Sequence, residues 1–356
     1  MNNQQQGSFR LSAEQLQADT AHWQNQANQP EAKDNSLRVR SFNQVMKAAK
    51  ILPIPQMLFG KFWYEGELCI LFSDSNAGKS ILAMQIGNNI SCGKSMEPFE
   101  LETQAQPVLY CDFELSPKQL EARYTQEWEA HYEFNDNFYR ADLNPDAELP
   151  EGFNDFEEYL NYSIEAAIID TNAKVVIIDN ITYIGTENEQ AKFALPLMKQ
   201  LKALKNKYGL SILALAHTPK RDKSKPITSN DLQGSKMLMN FCDSAFTIGN
   251  SNQSEHRRYL KQIKQRNTGQ VYGEGNVCIF DIAKPHNFLQ YNFIGYGDER
   301  LHLKDIKEQQ TDEYTERVVE LKQKGLSLRE IAAELGIHYS KVNRLLKVAQ
   351  IVKDQA

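Results

Sequence analysis

Leu68-Cys69-Ile70-Leu71-Phe72-Ser73-Asp74-Ser75-Asn76-Ala77-Gly78-Lys79-Ser80-Ile81 is the stretch from which the rest of the chain can be read. Five apolar residues run straight into a polar loop, and beyond it Leu82, Ile86 and Ile90 recur at helical spacing. The pattern predicts a buried strand, a curled loop and a helix in direct succession. Loop N–H groups that turn inward and meet a helix N-terminus form a fixed positive nest for anionic oxygens.

That nest suits the phosphates of a nucleotide. Ser73, Asp74, Ser75, Asn76, Ala77, Gly78, Lys79, Ser80 and Ile81 are the expected binding residues, with ATP and Mg²⁺ as cofactors. Lys79 would reach the β and γ phosphates and Ser80 would hold the metal. Gly78 lets the loop approach without a Cβ. The usual pattern, G-x-x-x-x-G-K-[ST], opens on glycine where this chain has Ser73, which fits only if the backbone there avoids positive φ. The bland alternative is a chance strand-turn-helix with a solvated lysine, and the flanking elements argue against it.

The 356 residues suffice for one large domain and a small one. A hydrophobic share of 41% places the chain among packed globular proteins. The net charge of -6 excludes a uniformly nucleic-acid-coating surface but leaves room for local basic patches. Cys69, Cys92, Cys111, Cys242 and Cys278 are widely spaced with no C-x-x-C pair, as expected of reduced core thiols. No basic start precedes an apolar block, and no apolar run reaches the ~18 residues of a membrane span, so a cytoplasmic protein without a membrane partner is expected.

Residues 1–40 read as a flexible polar arm, rich in Gln, Asn and Ala. Within it Ser12 and Gln15 fit a capping box before Leu16, Thr20 and Trp23, leaving open a frayed tail or a helix that docks on a neighbouring subunit. Ser41 and Gln44 repeat the cap before Val45, Met46 and Ala49, and Pro53 and Pro55 end that helix. Strands are expected at 108–113, 174–180, 210–217, 244–249 and 259–265, with an antiparallel extension at 276–280 and 288–293. Helices are expected from Ser116-Pro117 through Leu120 and Arg123, and over 191–208. Residues 134–160 offer no informative spacing. The alternation predicts an α/β domain over 41–302, a parallel sheet whose carboxyl edge collects Lys79, Glu114, Asp179 and His217.

A polar linker, 303–312, is expected to lead into a last unit, 313–356. There Val318, Val319 and Leu321 share a helix face, Gly325 ends that helix, Ser327 and Glu330 cap the next, and Gly336-Ile337-His338 turns into a third. Val342, Leu345 and Leu346 point inward, while Ser340, Lys341, Asn343, Arg344 and Lys347 face out, with no acidic residue from Gly336 to Lys353. Three short helices so arranged resemble a helix-turn-helix module that contacts DNA. A three-helix protein-docking unit with a solvated basic face is the alternative.

Asp179 ends the most apolar strand and suits the metal, because a carboxylate there can hold a water ligand of Mg²⁺ bound by Ser80. Glu114 is the candidate for polarising the attacking water, with Asp112 as its competitor; for Asp179 and Glu114 alike the alternative is a helix cap or a surface ion pair. His217 is expected either to sense the γ-phosphate and pass the signal to the loop 219–230, whose Lys220, Arg221, Lys223 and Lys225 are opposed only by Asp222, or to make an ordinary polar contact. Lys264 and Arg266 are expected on one face of a strand, with plain surface charge as the alternative.

Together the phosphate loop, Glu114 followed by Arg123, the Asp179 strand, His217, Gln233-Gly234-Ser235 and Lys264-x-Arg266 resemble the RecA-like ATPases, and most of all the RepA-type hexameric plasmid helicase family, kin to DnaB and KaiC. The resemblance spans about residues 41–295. It implies a homo-oligomeric, hexameric ring with ATP at each interface, Lys264 and Arg266 reaching a neighbour's γ-phosphate, and single-stranded DNA gripped near the pore. It further implies Glu114 as the catalytic carboxylate, Arg123 near the adenine, and DNA contacts from the loop 219–230 and Gln233. The expectation is a DNA-associated ATPase, a helicase of a plasmid, phage or mobile element. Alternatives are an ATP-switched, sequence-specific regulator that never unwinds DNA, and a recombination or loader ATPase.

Overall fold

The computed structural model describes residues 37–181, 190–232, 235–304 and 306–354. The chain divides into two units, one through Ile54 and one from Pro55 onward. In the first, α1 (Phe42–Ala49) starts on a reciprocal capping box: Ser41 Oγ accepts from the Gln44 N–H, and Gln44 Oε1 accepts from the Ser41 N–H. Trp23 and the first 36 residues of the polar arm lie outside the described residues.

In the second unit a short hairpin of β1 (Met57–Phe59) and β2 (Trp63–Tyr64) leads into β3 (Leu68–Ser73) and α2 (Lys79–Cys92). Next come β4 (Val108–Asp112), α3 (Pro117–Arg123), a ribbon of β5 (Thr125–Gln126) and β6 (Ala130–His131), and β7 (Phe138–Asp142). Helix α4 (Phe156–Thr171) precedes β8 (Val175–Asp179), α5 (Gln190–Tyr208) precedes β9 (Ser211–His217), and α6 (Ser235–Phe241) precedes β10 (Ser244–Asn250). Then β11 (Arg257–Lys264), β12 (Val277–Ala283) and β13 (Gln290–Gly297) follow, and α7 (Ile306–Gln323), α8 (Leu328–Leu335) and α9 (Tyr339–Asp354) close the chain.

Nine strands form one sheet in the order β13-β12-β11-β10-β3-β9-β8-β4-β7. From β10 to β7 every neighbouring pair is parallel, and from β10 to β13 every pair is antiparallel. This is the expected α/β architecture, a parallel P-loop sheet with an antiparallel extension. The β3 side chains alternate between two cores. Leu68, Ile70 and Phe72 join one face, Cys69 and Leu71 the other, which is why the strand reads as unbroken apolar sequence.

The stretch without readable spacing supplies the sheet's edge strand, β7, and the start of α4, whose N-cap Asp155 accepts from the Glu158 N–H. Helix α2 packs tightly beneath the sheet. A Cβ on Gly87 would stand 2.8 Å from the Phe138 ring and 3.0 Å from Ile177 Cδ1.

The stretch expected as a linker, 303–312, is already helical from Ile306, so the first C-terminal helix begins earlier than its apolar spacing signalled. Helices α7 to α9 enclose their own small core of Val318, Leu321, Ile331, Val342 and Leu345. Ser327 and Glu330 form the expected capping box, and Gly336 ends α8 in the left-handed region at φ 61°.

Candidate nucleotide site

The loop from β3 to α2 holds Asn76 at φ 60° and Gly78 at φ 96°, so the chain curls tightly into the helix N-terminus. Ser73 stays in the strand and outside the positive-φ region, which is the condition for replacing glycine there. Lys79 is buried and folds back on the loop. Its Nζ donates to Ser73 O at 3.1 Å, Ser73 Oγ at 3.3 Å and Asp74 O at 3.3 Å, and lies 3.0 Å from His217 Nδ1. Burial pulls this ammonium down to about 8, against the charges of Asp179, Glu114 and Asp74. Phosphate oxygens arriving here would replace carbonyl partners with anionic ones.

Beside the lysine, β8 and β4 pair with Asp112 opposite Asp179. Asp179 is 1% exposed, its Oδ2 accepts the Tyr110 hydroxyl at 2.6 Å, and its Oδ1 has no partner. Burial pushes this carboxyl up to about 6, with the nearby Ser80 and Tyr110 hydroxyls opposing it. A buried orphan carboxylate oxygen next to a hydroxyl fits Mg²⁺, which takes few protein oxygens and completes its shell with phosphate and water. Bound there, the ion would neutralise phosphate charge. Among the described residues no cluster of three or more His, Cys, Asp or Glu side chains stands ready for a metal.

Asp112 is occupied: it receives Arg140 Nε at 3.0 Å and the N–H groups of Glu114 and Leu115. That network aims the chain so that Glu114 reaches the edge. Glu114 Oε1 accepts Asn180 Nδ2 at 2.5 Å and stands 3.6 Å from His217 Nε2. The His217 ring holds this carboxyl below its ordinary range, with burial opposing and Lys79 helping. One imidazole therefore touches the phosphate-loop lysine with one nitrogen and faces the carboxylate with the other.

Residues 34–223, just over half of the chain, match the family model described as AAA domain. The chain belongs to the AAA domain family. It is thus a P-loop ATPase by family, and the matched region takes in Lys79, Ser80, Glu114, Asp179 and His217. No curated protein matches the chain. Among solved structures it is similar to a KaiC-like protein from the hyperthermophilic archaeon Pyrococcus horikoshii OT3, at 15% identity over 65% of this chain and 91% of that one, with a TM-score of 0.44.

Other expected residues lie apart from the AAA domain's loop. Lys264 ends β11 opposite Ala245, at the amino edge of the parallel strands, and donates to Met239 O and Cys242 O. Arg266 lies beyond the strand's end, so the two do not share a strand face. It is half exposed and donates to Asp243 Oδ1 at 3.1 Å. Arg123 ends α3 with a buried Nη1 that has no partner, and its carbonyl accepts the Leu289 N–H.

The basic loop is not uniformly open. Arg221 turns inward, its side chain 7% exposed and its Nε 3.7 Å from Asp74 Oδ1, because the partly buried carboxylate draws it under the loop. Lys220 pairs with Glu316 of α7, Lys225 pairs with Asp222, and the Lys223 carbonyl accepts the Lys304 N–H. Gln233 lies outside the described residues. On α9, Ser340, Asn343, Arg344 and Lys347 are exposed, while Lys341 lies over the Tyr314 ring at 4.4 Å.

Sequence reading missed the braces of the AAA domain's loop. Arg258 Nε and the Tyr291 hydroxyl both donate to Ala77 O, at 3.0 and 2.9 Å, and Gln85 bonds the Tyr291 backbone on both sides. Thr218 donates to Asp74 Oδ1. These partners sit far away in sequence, so no local spacing announces them. Only the hydroxyl at Thr218, next to His217, offered a local signal.

Proposed function

We propose that this AAA-domain ATPase is a DNA-associated, ring-forming motor that hydrolyses ATP with Mg²⁺, a RepA-like helicase acting on single-stranded DNA. One observation carries the reading: His217 bridges Lys79 and Glu114, and the chain leaves it directly for the basic loop. A ring at the site of the γ-phosphate is thereby joined by one peptide bond to Thr218, whose hydroxyl holds Asp74 of the phosphate loop. Loss of the γ-phosphate would be felt at Lys79 and His217 together and passed into the segment that carries Lys220, Lys223 and Lys225.

In this role Lys79 neutralises phosphate charge, Ser80 and Asp179 hold the metal and its water, and Glu114, kept ionised by the facing imidazole, orients water for in-line attack. Lys264 and Arg266 sit on the edge opposite their own chain's Lys79, so their contribution to hydrolysis belongs to a neighbour's site. The test is hydrolysis with and without single-stranded DNA, followed by separation of a forked duplex. Strong single-strand stimulation with strand separation supports a motor, whereas hydrolysis indifferent to DNA counts against it.

A second reading rests on α9. Its exposed Ser340, Asn343, Arg344 and Lys347 suit the recognition helix of a helix-turn-helix, and the Lys220–Glu316 pair ties that unit to the basic loop. This favours an ATP-switched regulator of duplex DNA. A footprint on one duplex site, lost in Arg344→Ala, without strand separation would select it.

A further inference from the structure

Asp112 and Asp179 stand directly opposite each other on β4 and β8, yet they are held differently. Both oxygens of Asp112 are taken, Oδ2 by Arg140 and Oδ1 by the N–H groups of Glu114 and Leu115. Asp179 has one oxygen taken and one left over: Oδ2 accepts the Tyr110 hydroxyl at 2.6 Å, and Oδ1 has no partner. Tyr110 therefore decides which oxygen of Asp179 is left for a ligand.

Packing alone does not require a hydroxyl at this position. Tyr110 is 1% exposed, in the same core as Val108, Val175 and Ile177, where phenylalanine would fill the space as well. Its ring lies edge-on to that of Phe138, the centroids 6.2 Å apart, and Phe138 lies so near Gly87 of α2 that a Cβ there would meet it at 2.8 Å. A ring so confined cannot swing, and a buried hydroxyl on a carboxylate makes a short, charge-assisted bond. The bond fixes both the rotation of the Asp179 carboxyl and the number of oxygens it offers. That number matters to a cation. Mg²⁺ is small, demands near-octahedral geometry and is held by one or two carboxylates with water and phosphate, whereas Ca²⁺ is larger, tolerates irregular shells and takes a carboxylate by one oxygen or both.

We propose that Tyr110 is a positioning residue for the metal: by holding Asp179 Oδ2 it presents a single, fixed oxygen, Oδ1, and so favours Mg²⁺ over Ca²⁺. This role rests on the proposed placement of the metal at Ser80 and Asp179.

Titration of the full chain with a non-hydrolysable fluorescent ATP analogue, in EDTA, Mg²⁺ and Ca²⁺, tests this. The readout is the gain in nucleotide affinity that each cation gives, apart from any hydrolysis. Tyr110→Phe should bind metal-free nucleotide within about twofold of wild type and lose about tenfold of the Mg²⁺ gain, while the Ca²⁺ gain holds or rises. Asp179→Asn should lose the Mg²⁺ gain, and adding Tyr110→Phe to it should cause no further loss, because the tyrosine acts through that carboxylate. An intact Mg²⁺ gain and cation preference in Tyr110→Phe, or an equal loss of affinity with and without metal, would overturn the proposal. The Asp179→Asn chain tells two failures apart. If it too keeps the Mg²⁺ gain, the metal lies elsewhere and the role of Tyr110 falls with that placement; if it alone loses the gain, only Tyr110 is removed from the site.

Discussion

His217 Nδ1 lies 3.0 Å from Lys79 Nζ, so the end of β9 is in contact with the lysine of the phosphate loop. The same ring faces Glu114 at 3.6 Å, and on the proposed reading it would couple phosphate occupancy to the carboxylate. His217→Ala should leave ATP binding within a few-fold of wild type, since the loop's backbone nest is untouched. Hydrolysis should fall about tenfold to a hundredfold, and its response to single-stranded DNA should vanish. Steady-state rates with and without DNA, together with nucleotide titrations, check this.

Proton uptake reports on Lys79. Burial lowers its ammonium from 10.5 to about 8, and phosphate oxygens favour the charged form, so binding must raise it again. Nucleotide binding near pH 9 should therefore take up a proton, and near pH 7 this group should contribute none. Calorimetry in buffers of differing ionisation enthalpy measures the uptake, which Lys79→Met should remove. The stability consequence has a definite sign. Between about 8 and 10.5 the unfolded lysine binds more protons than the native one, so this group's contribution to stability rises with pH across that window.

The phosphate loop is held from the antiparallel side of the sheet. Tyr291→Phe removes one donor from Ala77 O and keeps the ring, so it should cost about 1 kcal/mol in urea unfolding and weaken nucleotide binding only modestly. Gly78→Ala is harsher. Its Cβ would meet Tyr291 Oη at 2.6 Å and Ile282 Cδ1 at 2.8 Å, at a backbone φ of +96°. Binding should weaken about tenfold or more, with the strands beneath still folded by circular dichroism.

Mixing separates the two edges of the sheet. On the ring reading, Lys79→Ala and Arg266→Ala chains are each inactive. Combined one to one, they should recover about a quarter of wild-type hydrolysis, because random head-to-tail placement leaves that share of interfaces with both groups intact. Absence of recovery at any ratio would remove Arg266 from the reaction.

Local signals made much of this readable. Residues 68–81 announce strand, loop and helix without distant help, and the β-branched run before Asp179 marks a strand buried on both faces. Edge strand β7, Phe-Tyr-Arg-Ala-Asp, is half exposed and polar, so it has neither a buried run nor a clean alternation. Helix α4 did carry a signal, Asp155 with Glu157 and Glu158 at its first turn, hidden among the surrounding acids. Arg258 and Tyr291 reach Ala77 across more than 180 residues, and Arg221 turns inward toward Asp74. Such tertiary contacts leave no periodicity in the chain.

The most direct measurement is ATP hydrolysis by wild type and Glu114→Gln, each alone, with single-stranded DNA and with duplex DNA. Glu114→Gln keeps the shape of the side chain and removes the charge that His217 faces. The variant should still bind ATP, its hydrolysis should fall about a hundredfold or more, and the single-strand stimulation expected of wild type should be lost. A Glu114→Gln chain that hydrolyses ATP as fast as wild type and responds equally to DNA would contradict this.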